Sequence, residues 1–353
     1  MVNLHKGDQH TLTKLVRLIL PGLAFAIALA FAAIVLANQI TINEEKVISE
    51  VIIAILIGLL IRALIEMPAV FAPGIEFSFK KIIKLAIILM GLNFSIAAVF
   101  RTGLSVLAVI IISIIAAIIL MELMWRPLNL RPSLARLIGI GTAICGASAI
   151  IAAAPIIDEA EDSDITYAVA TITIFGLLAV FVYPVIGSFL QLSEFQYGRW
   201  VGVAIHETAQ VLAAGFAIGN EAGEVATVVK LTRTIMLLPV IIIFIQVGKK
   251  GKAIDQPAAS VLSAFPVFIL GFLGLAVLRA AGDILFIDSD SWVTTLTAFS
   301  QLSKFLIVVA MAGVGLTTDL TKIKILGLKP LIAGLIASIF LGILSLSLFQ
   351  LLY

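Results

Sequence analysis

Charge is what this sequence has least of. Asp, Glu, Lys and Arg make up 12% of its 353 residues, against 61% for the hydrophobic types. A soluble domain devotes about a quarter of its residues to charge, so a water-covered globular surface is excluded. Cysteine is nearly absent. Cys145 stands alone, which excludes an intrachain disulfide and leaves no cysteine-based metal centre. Histidine occurs at His5, His10 and His206 only. His206-Glu207-Thr208-Ala209-Gln210 therefore lacks the second histidine of the H-E-x-x-H zinc peptidases, and no metal site is expected. No G-x-x-x-x-G-K-[ST] stretch is present, so transport or motion driven by nucleotide hydrolysis within this chain is excluded. The net charge of +2 says nothing about nucleic acid, but there is no long basic run or aromatic-interleaved patch, and no nucleic-acid partner is expected.

What is present is apolar length. Mean hydropathy is +1.20. Runs of about 20 apolar residues, enough to cross the hydrocarbon core, fall near 15–37, 47–66, 82–100, 104–124, 136–157, 165–189, 200–219, 226–247, 258–280, 293–317 and 328–352. The reading is an all-α polytopic membrane protein of about eleven transmembrane helices in one domain, 1–353, with no room for a soluble one. The first run is too long for a signal-peptide core and is expected to be retained. Connections alternate in sign. Lys80, Lys81 and Lys84; Arg126, Arg131 and Arg136; Lys249, Lys250 and Lys252; and Lys322, Lys324 and Lys329 follow runs two, four, eight and ten. Glu44 and Glu45; Asp158 to Asp164; Glu221 and Glu224; and Asp283, Asp288 and Asp290 follow runs one, five, seven and nine. Basic loops stay in the cytoplasm. The chain is thus placed in the cytoplasmic (inner) membrane with its N-terminus inside and Tyr353 outside. Trp125, Trp200 and Trp292 fall at run ends, as interfacial anchors.

Internal echoes add a second layer. Met90-Gly91-Leu92-Asn93-Phe94-Ser95 resembles Met311 to Thr317, and Ile57 to Arg62 resembles Leu270 to Gly274. Runs two to four thus recur as nine to eleven. A shift of seven runs inverts the copy, as in secondary transporters, and the repeat-like halves are about 47–189 and 200–352. A further echo lays Gly141–Gly187 over Gly202–Gly248, with Thr166, Thr171 and Thr173 on Thr227, Thr232 and Thr234. Its shift of two runs makes parallel copies. Either one segment is re-entrant or the echo is partly accidental.

Gly141-Thr142-Ala143-Ile144-Cys145-Gly146-Ala147-Ser148-Ala149 breaks the Leu/Ile pattern of the fifth run. A helix so weakly built at its centre is expected to be discontinuous, its freed backbone groups open to an ion or substrate; close helix packing is the plainer account of small residues. The seventh run carries His206 and Glu207, and the eighth Lys230 and Arg233, which share a helix face. An ionised group at membrane depth costs about 2.5–3.5 kcal/mol on insertion scales and needs a partner. Lys230 is expected to snorkel to the interface. Arg233 is expected about two turns from the outer face, either as a fork for an oxyanion or paired with Glu207. Asn93, Ser95, Thr317 and Thr318 are helix-end candidates for ion coordination, and Thr171 and Thr173 weaker ones.

The two motifs, Gly141 to Ile150 and Ala204 to Val211, resemble the YeiH-type sulfate-exporter family over nearly the whole chain. Family members more often carry Asp where this chain has Glu207. More distantly, Met90-Gly91-Leu92 with the small-residue motif resembles the bile-acid/sodium symporter superfamily. That likeness implies two broken helices crossing in a core that moves against a scaffold. The expected function is secondary transport of a small anion, sulfate or an organosulfonate, by alternating access. Cys145, Gly146, Ala147, Ser148, Thr208, Gln210 and Arg233 are assigned to the substrate. His206, Glu207, Asn93 and Thr317 are assigned to a coupling Na⁺ or proton. The alternative is a Na⁺- or proton-coupled cation carrier on the same scaffold. An intramembrane enzyme would need Ser148 or Cys145 beside His206 and is not expected. The partners expected are the bilayer, the anion and a second copy of the chain.

Overall fold

The computed structural model describes residues 7–42, 45–46, 48–93, 103–157, 159–247, 266–286, 289–318 and 327–352. Phe94, Ser95, Glu44, Asp158, Asp288, Asp319 and Leu320, and the lysines at 249, 250, 252, 322 and 324, lie outside the described residues. Among the described residues the regular structure is helical apart from a two-residue antiparallel pairing of Thr41–Ile42 with Glu45–Lys46. In chain order the helices begin with α1 (Gly7–Gln39), α2 (Glu50–Leu64), α3 (Ala72–Phe77), α4 (Ile83–Met90) and α5 (Gly103–Met124). The middle of the chain forms α6 (Pro132–Ala143), α7 (Ala147–Ala153), α8 (Asp162–Phe189), α9 (Glu194–Ala204) and α10 (Thr208–Ile218). The last five are α11 (Asn220–Ile235), α12 (Leu237–Val247), α13 (Phe268–Leu285), α14 (Asp290–Thr317) and α15 (Leu328–Leu352).

Two compact units result, each from two stretches of chain. One comprises residues 1–93 and 271–320, the other 94–270 and 321–353. In the first, α2 lies along α14 so closely that a Cβ on Gly315 would stand 2.4 Å from the Ile55 carbonyl oxygen. Without a hydrophobic drive between helices in lipid, such backbone approach is what holds them. The run expected from residue 82 starts ten residues earlier. Ser78–Ile82 is a π-turn joining α3 to α4, and the Ser78 hydroxyl donates to the Ile75 carbonyl at 2.6 Å.

The second unit contains two helical hairpins. In the first, α6 stops three residues into the small-residue stretch: Ile144 takes φ −123°, ψ −92° and Gly146 takes φ 70°. An L-residue with a Cβ rarely adopts the latter. The Gly146 N–H reaches back five residues to the Gly141 carbonyl at 3.0 Å, closing the helix end. α7 then folds back along α6, with Ile150 against Gly141. At the base, Ser133 donates to Asp164 at 2.7 Å, and Arg131 pairs with Glu161 and lies 3.5 Å from Asp164. Arg131 beside Glu161 holds that carboxyl below the usual carboxylate range. In the second hairpin, Ile205 and Glu207 are extended, and α10 returns beside α9. The Tyr197 hydroxyl donates to the Ala214 carbonyl at 3.1 Å, and Glu194 at the base accepts from the Ala222 N–H at 3.2 Å.

Lengths fix the relation between the hairpins. At 1.5 Å per residue α6, α9 and α10 reach about 16–18 Å and α7 about 10 Å, none much beyond half the thickness of a bilayer, whereas α8 spans about 42 Å. The α8 helix starts at the base of the first hairpin and ends five residues before the second. The hairpins therefore enter from opposite ends of α8 and meet near its middle.

Several expectations change. Seven helices among the described residues are long and apolar enough to span a membrane; α2 is only 15 residues long, and the runs at 136–157 and 200–219 are the hairpins. Apolar length alone does not distinguish a span from a hairpin of the same length. The loop at Arg131 and the acidic loop at Glu161, expected on opposite sides, share one end. The expected discontinuity of both segments holds, but each folds back instead of continuing into a crossing. That also settles the parity of the second echo. With a hairpin counted as no crossing, its copies differ by one span and are inverted. Trp200 is no interfacial anchor; it is buried in α9 and donates to the Gly342 carbonyl at 2.8 Å.

Candidate functional site at the hairpin tips

The tips bring together four helix ends: the C-termini of α6 and α9 and the N-termini of α7 and α10. Unpaired carbonyls gather at the first two and unpaired N–H groups at the others. The carbonyl side is sealed by α11. Arg233 Nε donates to Ala143 O at 2.6 Å and Nη2 to Thr142 O, while Nη1 donates to Val203 O and, at 3.1 Å, to Ile205 O. Lys230 Nζ donates to Ile144 O at 2.8 Å, Ile205 O at 2.9 Å and His206 O. Both side chains are completely buried. Lys230 does not snorkel. Arg233 gives these donors to backbone rather than to Glu207, and lies deeper than expected because α11 begins at Asn220, more than three turns before it.

The opposite side is open. Ser148 is exposed, and Ala147, Glu207 and Thr208 are half-buried. Glu207 caps α10: its carboxylate accepts the Gln210 N–H, and the Gln210 side chain accepts the Glu207 N–H at 3.3 Å. The same carboxylate accepts the Thr173 hydroxyl of α8 at 3.1 Å and faces the Ala147 N–H of the first hairpin. Gly146 admits it, since a Cβ there would stand 2.4 Å from Glu207 Cγ. Gln210 Nε2 also donates to the Thr173 carbonyl at 3.1 Å, and it lies so close to α8 that Gly176 has no space for a methyl group.

His206 turns away from this opening. Its Nε2 lies 2.7 Å from Ser338 Oγ on α15. That hydroxyl donates to Gly334 O at 2.7 Å, which leaves it placed to accept from Nε2. Cys145 is buried in the turn. The structure thus brings together Cys145, Gly146, Ala147, Ser148, His206, Glu207, Thr208, Gln210 and Arg233. Asn93 and Thr317 belong to the other unit, where the Thr317 hydroxyl donates to its own helix at Gly313 O, 2.9 Å away. Nothing in the sequence singles out Ser338, and Thr173 is only a weaker candidate there. The one signal for Thr173 was its place in the echo opposite Thr234.

Apolar helices, paired hairpins and buried cations among helix ends define a helical membrane protein with an internal polar site. The chain belongs to the family described as conserved hypothetical protein 698, whose model matches residues 21–334. Its relatives carry the name UPF0324 membrane protein. One from Clostridium tetani is 33% identical over 338 residues, covering 92% of this chain and 94% of the relative. One from Agrobacterium fabrum is 33% identical over 332 residues, covering 93% and 91%. One from Streptococcus pneumoniae is 34% identical over 294 residues, covering 82% and 86%. The YeiH-type resemblance agrees with this membership.

Proposed function

We propose that the chain is a secondary transporter of a small anion, with sulfate and organosulfonates the first substrates to test, acting by alternating access in the cytoplasmic membrane. The arrangement of helix ends carries the reading. Both C-termini lie under Lys230 and Arg233, and both N-termini face the opening that Ser148 and Thr208 reach. Helix N-termini attract anions. Two cations and one carboxylate leave one formal positive charge at the tips, the helix ends cancelling in pairs. In a low-dielectric interior that excess favours an anion over a second cation.

In this reading Ala147, Ser148 and Thr208 meet the substrate, and Cys145 and Gly146 shape the turn. Gln210 anchors the second tip to α8. Arg233 acts from behind the site as fixed charge instead of touching the substrate. Glu207 and His206, with Asn93 and Thr317 of the other unit, are the groups proposed for coupling to protons or Na⁺. An enzymatic role has less support, because His206 Nε2 is turned to Ser338 rather than to Cys145 or Ser148. Folding two runs back leaves the number of crossings odd, so the orientation proposed keeps the N-terminus inside and the C-terminus outside. A homodimer is part of the same proposal.

Proteoliposomes test it. Radiolabelled sulfate should exchange by counterflow, with sulfite, sulfonates or carboxylates competing, and Ser148→Leu should abolish the exchange. Dissipation of a Na⁺ or pH gradient with no anion exchanged would replace this reading with the cation carrier.

A further inference from the structure

The Glu207 carboxylate occupies the donors that an arriving anion would need. It is held by the Gln210 N–H at the start of an eleven-residue helix, by the Thr173 hydroxyl at 3.1 Å, and beside the Ala147 N–H of the facing hairpin. These donors come from three separate elements and converge on one point. The lack of a side chain at Gly146 makes the space for it. An ordinary helix cap draws on its own helix; this carboxylate is bound as a free anion would be, at the partly open face of a site with net positive charge.

We infer that Glu207 is a tethered competitor, a carboxylate that must be protonated and withdrawn before the transported anion can take its donors. The inference rests on the anion reading given above. Competition for one set of donors makes proton uptake and anion binding positively linked, and the linkage is reciprocal. One proton enters with each anion. It goes to a Glu207 oxygen, and no covalent bond to the substrate is made. The titratable and charged groups around Glu207 are Lys230 of α11, the Cys145 thiol of the first hairpin and its neighbour His206, with Arg233 beyond Lys230. The α8 helix presents the neutral Thr173. Lys230 is fixed on carbonyls and His206 on Ser338, so neither can stand in for the withdrawn carboxylate.

The experiment is sulfate binding to the purified full chain by titration calorimetry between about pH 5 and 8, where sulfate stays a dianion and carboxyl groups in proteins can titrate. Weakly buffered samples would report proton uptake. Wild-type affinity should fall about tenfold per pH unit once the carboxyl is ionised, with one proton taken up per sulfate. Glu207→Gln, which has no ionised form, should bind at all pH values as tightly as wild type does at low pH, and take up no proton. Thr173→Val removes one donor from the ionised carboxylate and from the bound sulfate alike. Its low-pH affinity should be weaker than that of wild type, but the fall with pH should begin at higher pH, and this shift decides the matter if Glu207→Gln does not fold. Folded Glu207→Gln that fails to bind sulfate while wild type binds it would overturn the inference and leave the anion reading standing. A wild-type affinity that does not change with pH would do the same. No sulfate binding by any protein at any pH would overturn both.

Discussion

Arg233 and Lys230 are formal cations whose partners are neutral carbonyls, seven hydrogen bonds in all. Their substitution separates a structural charge from a ligand charge. A hydrogen bond to a charged group contributes about 1.5–3 kcal/mol. Lys230→Met, which strands the Ile144 and His206 carbonyls and leaves Ile205 O to Arg233 alone, is therefore expected to lower the melting temperature in detergent by several degrees even with no substrate present. Arg233→Lys keeps the charge but loses the planar fork that spans both hairpins. It should destabilise nearly as much as Arg233→Gln, whereas a residue acting only as a point charge for substrate would tolerate the exchange. Gly146→Ala adds a Cβ at φ 70° and 2.4 Å from Glu207 Cγ. It should abolish sulfate exchange while leaving much of the folded protein in place, read by counterflow beside size-exclusion chromatography. At this scale the sequence showed that Arg233 needed a partner but not which one. Helix-end carbonyls have no residue type of their own, so no pattern announces them. Ser338 was hidden for a similar reason: a single serine in a Leu/Ile-rich helix carries no signal until His206 is seen against it.

At the scale of the element, the hairpins share a plan. In each, a carboxylate at the base ties the hairpin to the helix that follows. Asp164 binds Ser133 at the start of α6, and Glu194 at the start of α9 binds the Ala222 N–H at the start of α11. Fold-back is testable without a structure. Arg131→Cys and Glu161→Cys, in a Cys145→Ala background, should be labelled by an impermeant maleimide from the same side of the membrane and joined by a short bismaleimide. A continuous helix over 132–157 would hold them about 37 Å apart, on opposite sides. The discontinuity was legible in advance because Gly141, Gly146 and the small residues between them cannot sustain a Leu/Ile helix. The reversal was not. It depends on Arg131 meeting Glu161 and Ile150 meeting Gly141, contacts that hydropathy does not encode.

For the whole molecule, the all-helical membrane class was fixed by composition, and the family membership agrees with it. Two apolar runs of ordinary length turn back instead of crossing. The inverted second echo survives in the fold as the pair formed by the first hairpin with α8 and the second hairpin with α11. All the groups at the hairpin tips belong to one compact unit. The sequence halves 47–189 and 200–352 each contribute to both units, so a cut between residues 189 and 200 would divide the site.

The carbonyl clamp also dictates an order of assembly. Arg233 closes on Ala143 and Thr142, which precede it by 90 and 91 residues. A growing chain therefore makes both hairpins well before the residue that neutralises their tips. Until α11 is inserted, two bent segments sit in the translocation machinery with bare carbonyls at membrane depth. Nascent chains stalled short of Arg233 should be degraded, and those released just past α12 should be the first to resist protease.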